Sequence, residues 1–404
     1  MKSICMYTPS AKGGHARYTM ELLTALSVHA RGYRVELVTS KDLEDQFRAV
    51  PYPVHAILPP LAHRESFTTP AGWVANRLSH YPRREYEFLR WLRTRPDIDG
   101  VHFQEWTSWL AAPLFRRIRA MGKKIFYTSH NVVPHKYPRL VPKAVMNGWI
   151  RRAARQANGL FVHTDLLAGE LSRFLGEPHP PINVVNHGVW TVNDHVKGPA
   201  MDERLSWKRL LFFGAIRRNK GLDLLLRAAE YLPGYSITIA GEAADAEYFR
   251  DEILPLVRRL QQGGMKVDLQ HRFIPDAQVG TLFATHSAIV LPYTRGFVAQ
   301  SGVAFMALAY ELPMIASEAG GLRELFNQFK IGTTFRDQIP QALADAVKAL
   351  YTEDSRQELE REISAAKERF SWAQAARATA AGYARADEKV TESNASPVRT
   401  TAAL

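Results

Sequence analysis

The chain has 404 residues, 46% of them hydrophobic, which is enough to fill two domains of ordinary size and too long for one compact core. A formal charge of +12 gives a positive potential that favours phosphates, nucleic acid or an anionic bilayer without choosing among them. The single cysteine, Cys5, excludes an intrachain disulfide and points to a reducing compartment, and no run of about twenty apolar residues is present to span a membrane.

In chain order, residues 3–7 predict a buried strand that ends in Thr8-Pro9-Ser10-Ala11-Lys12-Gly13-Gly14-His15. Tyr18, Leu22, Ala25 and Leu26 then mark one helical face, and 33–39 is the next strand. Residues 1–6 have no long apolar core behind them, so no signal peptide is expected. Prolines at 51, 53, 59, 60, 70 and 82 leave 42–82 as short elements with an exposed loop at 64–73, a candidate acceptor lid. Alternation returns with strands at 100–104, 124–128, 159–164 and 182–185, and helices at 107–121, 143–156 and 166–175. His130 follows the end of a strand, where open α/β sheets bind their ligands. His130 and His135 lack the H-E-x-x-H spacing, so no metal site is expected.

The second half repeats the pattern more cleanly. Residues 210–213 form an apolar strand bounded by Gly214, and Leu222, Leu225, Leu226 and Ala229 share a helical face. Between them lie Arg217, Arg218, Lys220 and Gly221, a basic turn at a helix start that would suit phosphate; taken alone it reads equally as a solvated turn. No P-loop string and no G-x-G-x-x-G string is present. Strands follow at 236–240 (with Gly241-Glu242 after it), 266–269, 287–292 and 314–316, helices at 246–261, 276–284 and 302–309, and a final long helical region over 340–386. The predicted organisation is an N-terminal α/β domain over 1–190, a linker at 191–207, and a second α/β domain over 208–370. A C-terminal helix at 371–387, able to pack back on the first domain, and a disordered tail at 388–404 complete it.

Four strings resemble the retaining glycosyltransferases of family four, which have the GT-B fold: two Rossmann-like α/β domains facing each other across a cleft. They are Gly13-Gly14-His15, Thr128-Ser129-His130-Asn131, Phe213 to Gly221, and Gln300-Ser301-Gly302-Val303 with Pro313 and 317–321 beyond it. The resemblance implies transfer of a hexose from a nucleotide-diphosphate sugar, with 1–190 as the acceptor-side Rossmann-like domain and 208–370 as the nucleotide-sugar-binding Rossmann-like domain. Arg217 and Lys220 would grip the diphosphate and neutralise charge on the leaving group. Backbone N–H groups of Gln300, Ser301, Gly302 and Val303 would face the phosphates and sugar, Gly13 and Gly14 would let the first loop close over the diphosphate and the acceptor, His130 would touch the sugar, and Glu242 would line the nucleotide pocket. No metal cofactor is expected, because two cations and a helix terminus can supply the charge stabilisation.

One departure stands out. The family usually places two glutamates around its glycine-rich loop, and counting back from Pro313 those places hold Val298 and Met306, which accept no hydrogen bond. Glu311 stands where a glycine is common. The chain resembles a branch that uses Gln300-Ser301-Gly302 instead.

Basic clusters in the first half (Arg83, Arg84, Arg90, Arg93, Arg95; Arg116, Arg117, Arg119, Lys123, Lys124; Arg151, Arg152, Arg155) read as solvated helix faces or as an attachment to an anionic membrane surface. The expectation is therefore a cytoplasmic enzyme, peripheral at the inner face of the membrane, acting on a lipid-linked or polysaccharide acceptor in cell-envelope or exopolysaccharide synthesis. A catalytically silent GT-B binding protein and a nucleotide-sugar epimerase are the alternatives. Nucleic acid is not an expected partner, since neither zinc spacing nor an aromatic RNA-binding string occurs.

Overall fold

The computed structural model describes residues 1–9, 13–43, 47, 49–60, 69–104, 110–133, 141–192, 198–351 and 356–394, and divides into two compact units, 1–186 with 372–404, and 187–371. Each is built on a parallel sheet, whose strands are buried on both faces and therefore read as apolar runs.

The first unit contains β1 (Lys2–Tyr7), α1 (Gly13–His29), β2 (Tyr33–Ser40), β3 (Val54–Leu58), α2 (Pro70–Arg93), β4 (Gly100–Phe103), α3 (Ala111–Ala120), β5 (Lys124–Thr128), α4 (Lys143–Ala154), β6 (Gly159–Val162), α5 (Asp165–Leu175) and β7 (Ile182–Val184). Its seven strands lie in the order β3-β2-β1-β4-β5-β6-β7. The order reverses between β1 and β4, so the crevice at their carboxyl ends is the natural ligand position. The core beneath joins Cys5, Val38, Phe88, Leu92, Phe103, Phe115 and Leu160. Thr164 caps α5 by accepting from the Leu167 N–H at 3.1 Å.

The second unit contains α6 (Met201–Ser206), β8 (Arg209–Phe213), α7 (Leu222–Ala228), β9 (Ser236–Ala240), α8 (Ala246–Tyr248), α9 (Leu254–Gln262), β10 (Lys266–Gln270), α10 (Asp276–Ala284), β11 (Ala288–Leu291), α11 (Gly302–Ala309), β12 (Met314–Ser317), α12 (Gly320–Gln328), β13 (Gly332–Phe335), α13 (Pro340–Ala349) and α14 (Arg356–Arg369). Its sheet runs β10-β9-β8-β11-β12-β13, with the reversal between β8 and β11. A final helix, α15 (Trp372–Asn394), belongs to the first unit, where Tyr383 packs on Phe126 at 4.6 Å and bonds His102 Nδ1 at 2.6 Å. A Cβ at Gly382 would stand 2.5 Å from Phe161, so the close approach of α15 to the sheet needs glycine there.

The α/β class and the paired parallel sheets agree with the sequence reading, and several details differ from it. Residues 42–82 hold β3 and the start of the 24-residue α2. Thr69 caps α2 and Pro70 opens it, so 70–73, expected within an exposed loop, begin a helix; the rest of the lid expected at 64–73 lies outside the described residues up to 68. The stretch expected as linker carries α6, and the helical region expected over 340–386 consists of α13, α14 and the α15 that begins at Trp372. The stretch 388–394, expected as disordered tail, continues α15, because Glu388, Lys389 and Glu392 are strong helix formers and the next proline is Pro397.

Candidate active site

In the second unit the reversal point is built by the loops after β8 and β11. Gly214, just past β8, has φ +101, and a Cβ there would stand 3.5 Å from Val303 and 4.0 Å from Lys220 Nζ. Gly221 has φ +65, and a Cβ would meet the Pro292 carbonyl at 1.9 Å; the turn therefore folds directly against the loop after β11. Arg217 opens a 3-10 turn over Arg218–Lys220, and the Lys220 N–H closes it on the Arg217 carbonyl at 2.9 Å. Both side chains are half-buried, whereas Arg218 is exposed and turned to Glu252 at 2.5 Å.

Tyr293 connects this basic turn to the start of α11. Lys220 Nζ donates to the Tyr293 hydroxyl at 2.8 Å and lies 4.5 Å from its ring centre. The same hydroxyl is 2.9 Å from Ser301 Oγ, which also caps α11 by accepting from the Ala304 N–H at 3.3 Å. The Tyr293 carbonyl accepts from Ser317 Oγ and Gln338 Nε2, both at 2.7 Å, so the aromatic ring is fixed from both ends. Gln300 Oε1 accepts from the His187 N–H at 3.2 Å, and the Gly302 carbonyl from Trp190 Nε1 at 2.7 Å. A half-buried cation, a helix N-terminus and a rigid phenol thus converge, an arrangement suited to an anionic oxygen.

The structure brings Lys220, Gly214, Val303 and Ser301 together, with Arg217 in the same turn and Gln300 one residue before the cap. Glu242 joins them through its backbone, whose carbonyl accepts from the Ile216 N–H at 2.8 Å, while its side chain is exposed. Val298 and Met306 are half-buried.

In the first unit, Gly13 and Gly14 open α1. Gly13 has φ +76, and a Cβ on either glycine would meet nothing within 4 Å among the described residues. His130 packs edge-on against His15 at 4.5 Å and Tyr18 at 5.1 Å, and its Nδ1 is 2.8 Å from His163 Nε2. Among the described residues there is no group of three or more His, Cys, Asp or Glu placed to hold a metal, and no helix is long and apolar enough to cross a membrane.

Sequence reasoning missed Tyr293 and His163. Tyr293 lies two residues past the apolar run of β11, a signal that was available; its partner Lys220 is 73 residues away, which no spacing rule reaches. The basic clusters also separate into kinds. Arg84 is buried and donates to the Pro9 carbonyl, Arg95 pairs with Glu36 at 2.9 Å, Lys123 donates to the Arg95 and Ile98 carbonyls, and Arg151 to the Phe174 carbonyl at 2.7 Å. These side chains fasten the fold, Arg151 from an exposed position, and Arg83, Arg90, Arg93, Arg116, Arg117 and Arg152 are exposed as well.

Comparison with known proteins agrees with this architecture. Residues 12–191 match the model of Glycosyltransferase Family 4, and 207–353 that of Glycosyl transferases group 1. The D-inositol 3-phosphate glycosyltransferase of Paenarthrobacter aurescens is 25% identical over 326 residues, covering 76% of this chain and 77% of the relative. Among solved structures, a sucrose-phosphate synthase from Thermosynechococcus elongatus superposes with TM-score 0.72 at 17% identity, covering 97% of this chain and 100% of that one. Anabaena HepE in complex with UDP and glucose superposes with TM-score 0.65 at 15% identity, covering 98% and 100%. With both halves matched and the two parallel sheets in place, the chain belongs to the family-four, group 1 glycosyltransferases of GT-B fold.

Proposed function

We propose that the protein transfers a hexose from a nucleotide-diphosphate sugar to a lipid-linked or polysaccharide acceptor with retention of anomeric configuration. What supports this is the gathering of Lys220, Gly214, Val303 and Ser301 at the reversal point of the second sheet, with Arg217 in the same turn. Arg217 and Lys220 hold the diphosphate, and backbone N–H groups of Gln300 to Val303 meet its oxygens. Glu242 lines the nucleotide pocket, Gly13 and Gly14 let the first loop approach, and His130 contacts the sugar. HepE was solved with UDP and glucose, which makes UDP-glucose the first donor to try.

The acceptor hydroxyl attacks the anomeric carbon on the face from which the diphosphate departs. The bond from that carbon to the phosphate oxygen breaks, and the departing phosphate takes the hydroxyl proton. Arg217 and Lys220 neutralise the charge that accumulates on it, so no divalent metal is required. The exposed arginines of α2, α3 and α4 would draw the enzyme to anionic lipid at the inner face of the membrane. Val298 and Met306, where glutamates are usual, favour as second reading a silent GT-B binding protein.

The test is a product screen with UDP-glucose, GDP-mannose and ADP-glucose against lipid-linked and polysaccharide acceptors, read by mass and by NMR of the new anomeric centre. A glycoside of unchanged configuration is expected. An epimerised nucleotide sugar, an inverted product or no turnover of any donor contradicts the proposal.

A further inference from the structure

Two histidines of the first unit stand side by side beyond the carboxyl ends of neighbouring strands of its sheet. His163 follows β6 and His130 lies two residues past β5, so neighbouring parallel strands deliver both rings to one level. His163 is buried, with Nδ1 2.9 Å from the Val185 carbonyl and Nε2 2.8 Å from His130 Nδ1. A carbonyl only accepts, so His163 Nδ1 carries that ring's proton. Burial pushes the His163 imidazole down to about 4, with the facing His15 acting in the same direction and the Val185 bond opposing both. The ring is therefore neutral at pH 7, and its Nε2 is the accepting nitrogen. The hydrogen between the rings then belongs to His130 Nδ1, which leaves the lone pair of a neutral His130 on Nε2. Among the described residues His15 and Tyr18 also pack edge-on against His130, and burial holds the Tyr18 phenol in its neutral form.

We infer that His163 is a positioning residue that fixes His130 as the Nδ1–H tautomer, so that His130 Nε2 accepts a hydrogen bond from a substrate hydroxyl and discriminates against an ether, a carbonyl or a deoxy centre at that place. The inference rests on the proposed contact between His130 and the sugar. A site built to accept from one hydroxyl rejects the analogue lacking it more strongly than an apolar pocket does, because a buried polar atom is then left unmatched.

Long-range proton–nitrogen correlation spectra of the full-length protein, labelled with nitrogen-15 in histidine, test the tautomer directly at pH 7.5, with His130→Gln and His163→Leu giving the assignments. Both rings are expected as Nδ1–H in the wild type, and His130 is expected to gain an Nε2–H population in His163→Leu. A wild-type His130 protonated on Nε2 overturns the inference, and that observation needs no variant to fold. With UDP-glucose as probe, His163→Leu is expected to lose about three- to ten-fold in kcat/KM, the worth of one neutral hydrogen bond. His163→Gln, whose amide oxygen can accept from His130, is expected to recover most of it; equal loss in both variants contradicts a positioning role. Failure of the underlying sugar contact looks different: His130→Ala would then turn over UDP-glucose like the wild type while the spectra still report the Nδ1–H tautomer.

Discussion

Lys220 and Tyr293 are predicted to act as one unit in nucleotide binding. The ammonium donates to the phenol oxygen at 2.8 Å, and the phenol is itself fixed by Ser301 and by the bonds to its own carbonyl. Removing the hydroxyl in Tyr293→Phe releases a lysine whose rotamer entropy is worth up to about 2 kcal/mol, of which binding must then recover the larger part. Tyr293→Phe is accordingly expected to weaken UDP binding about ten-fold, or about 1.4 kcal/mol. Lys220→Met also removes a charge-assisted bond to phosphate and should cost about a hundred-fold. With no lysine left to position, the double variant should bind no worse than Lys220→Met alone, giving a coupling of about 1.4 kcal/mol. Titration calorimetry with UDP on all four proteins measures this, and urea unfolding gives the control: Tyr293→Phe should lose about 1 kcal/mol of stability, because Ser301 keeps its bond to Ala304. Additive losses, with the double variant ten-fold weaker than Lys220→Met, would refute the coupling.

Gly221→Ala forces a residue with Cβ into φ +65 and against the Pro292 carbonyl at 1.9 Å, so a loss of at least about 2 kcal/mol is expected in urea unfolding; an unchanged midpoint would contradict the packing described here. Burial holds His163 down to about 4 and His102 to about 3, both below the unfolded value, so the stability they contribute is complete above about pH 6.5 and is lost as the pH falls toward those values. From these two groups the protein should be about 4 kcal/mol less stable at pH 5 than at pH 7.5, and a flat profile in that window would show that the rings are not buried neutral. Glu36→Gln breaks the pairing of a buried carboxylate with Arg95 and His55 and should cost about 2 kcal/mol at pH 7, read by thermal melting; no change in Tm would count against the pairing. Transfer activity should survive EDTA, and restoration by Mg²⁺ of activity lost to EDTA would overturn the proposed charge stabilisation.

The fold was legible where parallel strands bring their own signature. Apolar runs such as those of β8 and β11, ended by glycine or proline and followed by a helical face, identify βα units without further help. The basic turn at Arg217 to Lys220 was visible for the same reason. Edge and boundary elements were not. β13 reads Gly-Thr-Thr-Phe, too short and polar to announce a strand, and it exists because β12 offers a free edge beside it. Pro70 and Pro82 suggested loop, yet one starts α2 and the other is carried inside it. Tyr293 and His163 escaped because their meaning lies in partners 73 and 33 residues distant, brought within 2.8 Å only by neighbouring strand ends. Composition also overstated the free charge, since Arg84, Lys123 and Arg151 serve as donors to backbone carbonyls.

The central claim, a phosphate site made by Arg217 and Lys220, is tested most directly by thermal-shift measurement with UDP, GDP, ADP and their common sugars on the wild type and on the Arg217→Ala, Lys220→Ala double variant. A ligand binding only the native state adds about 2.7 kcal/mol of apparent stability at a hundred times its Kd. One nucleotide raising the Tm of the wild type and leaving the double variant unmoved is the predicted result. Equal shifts in both proteins, or none in either, would contradict it.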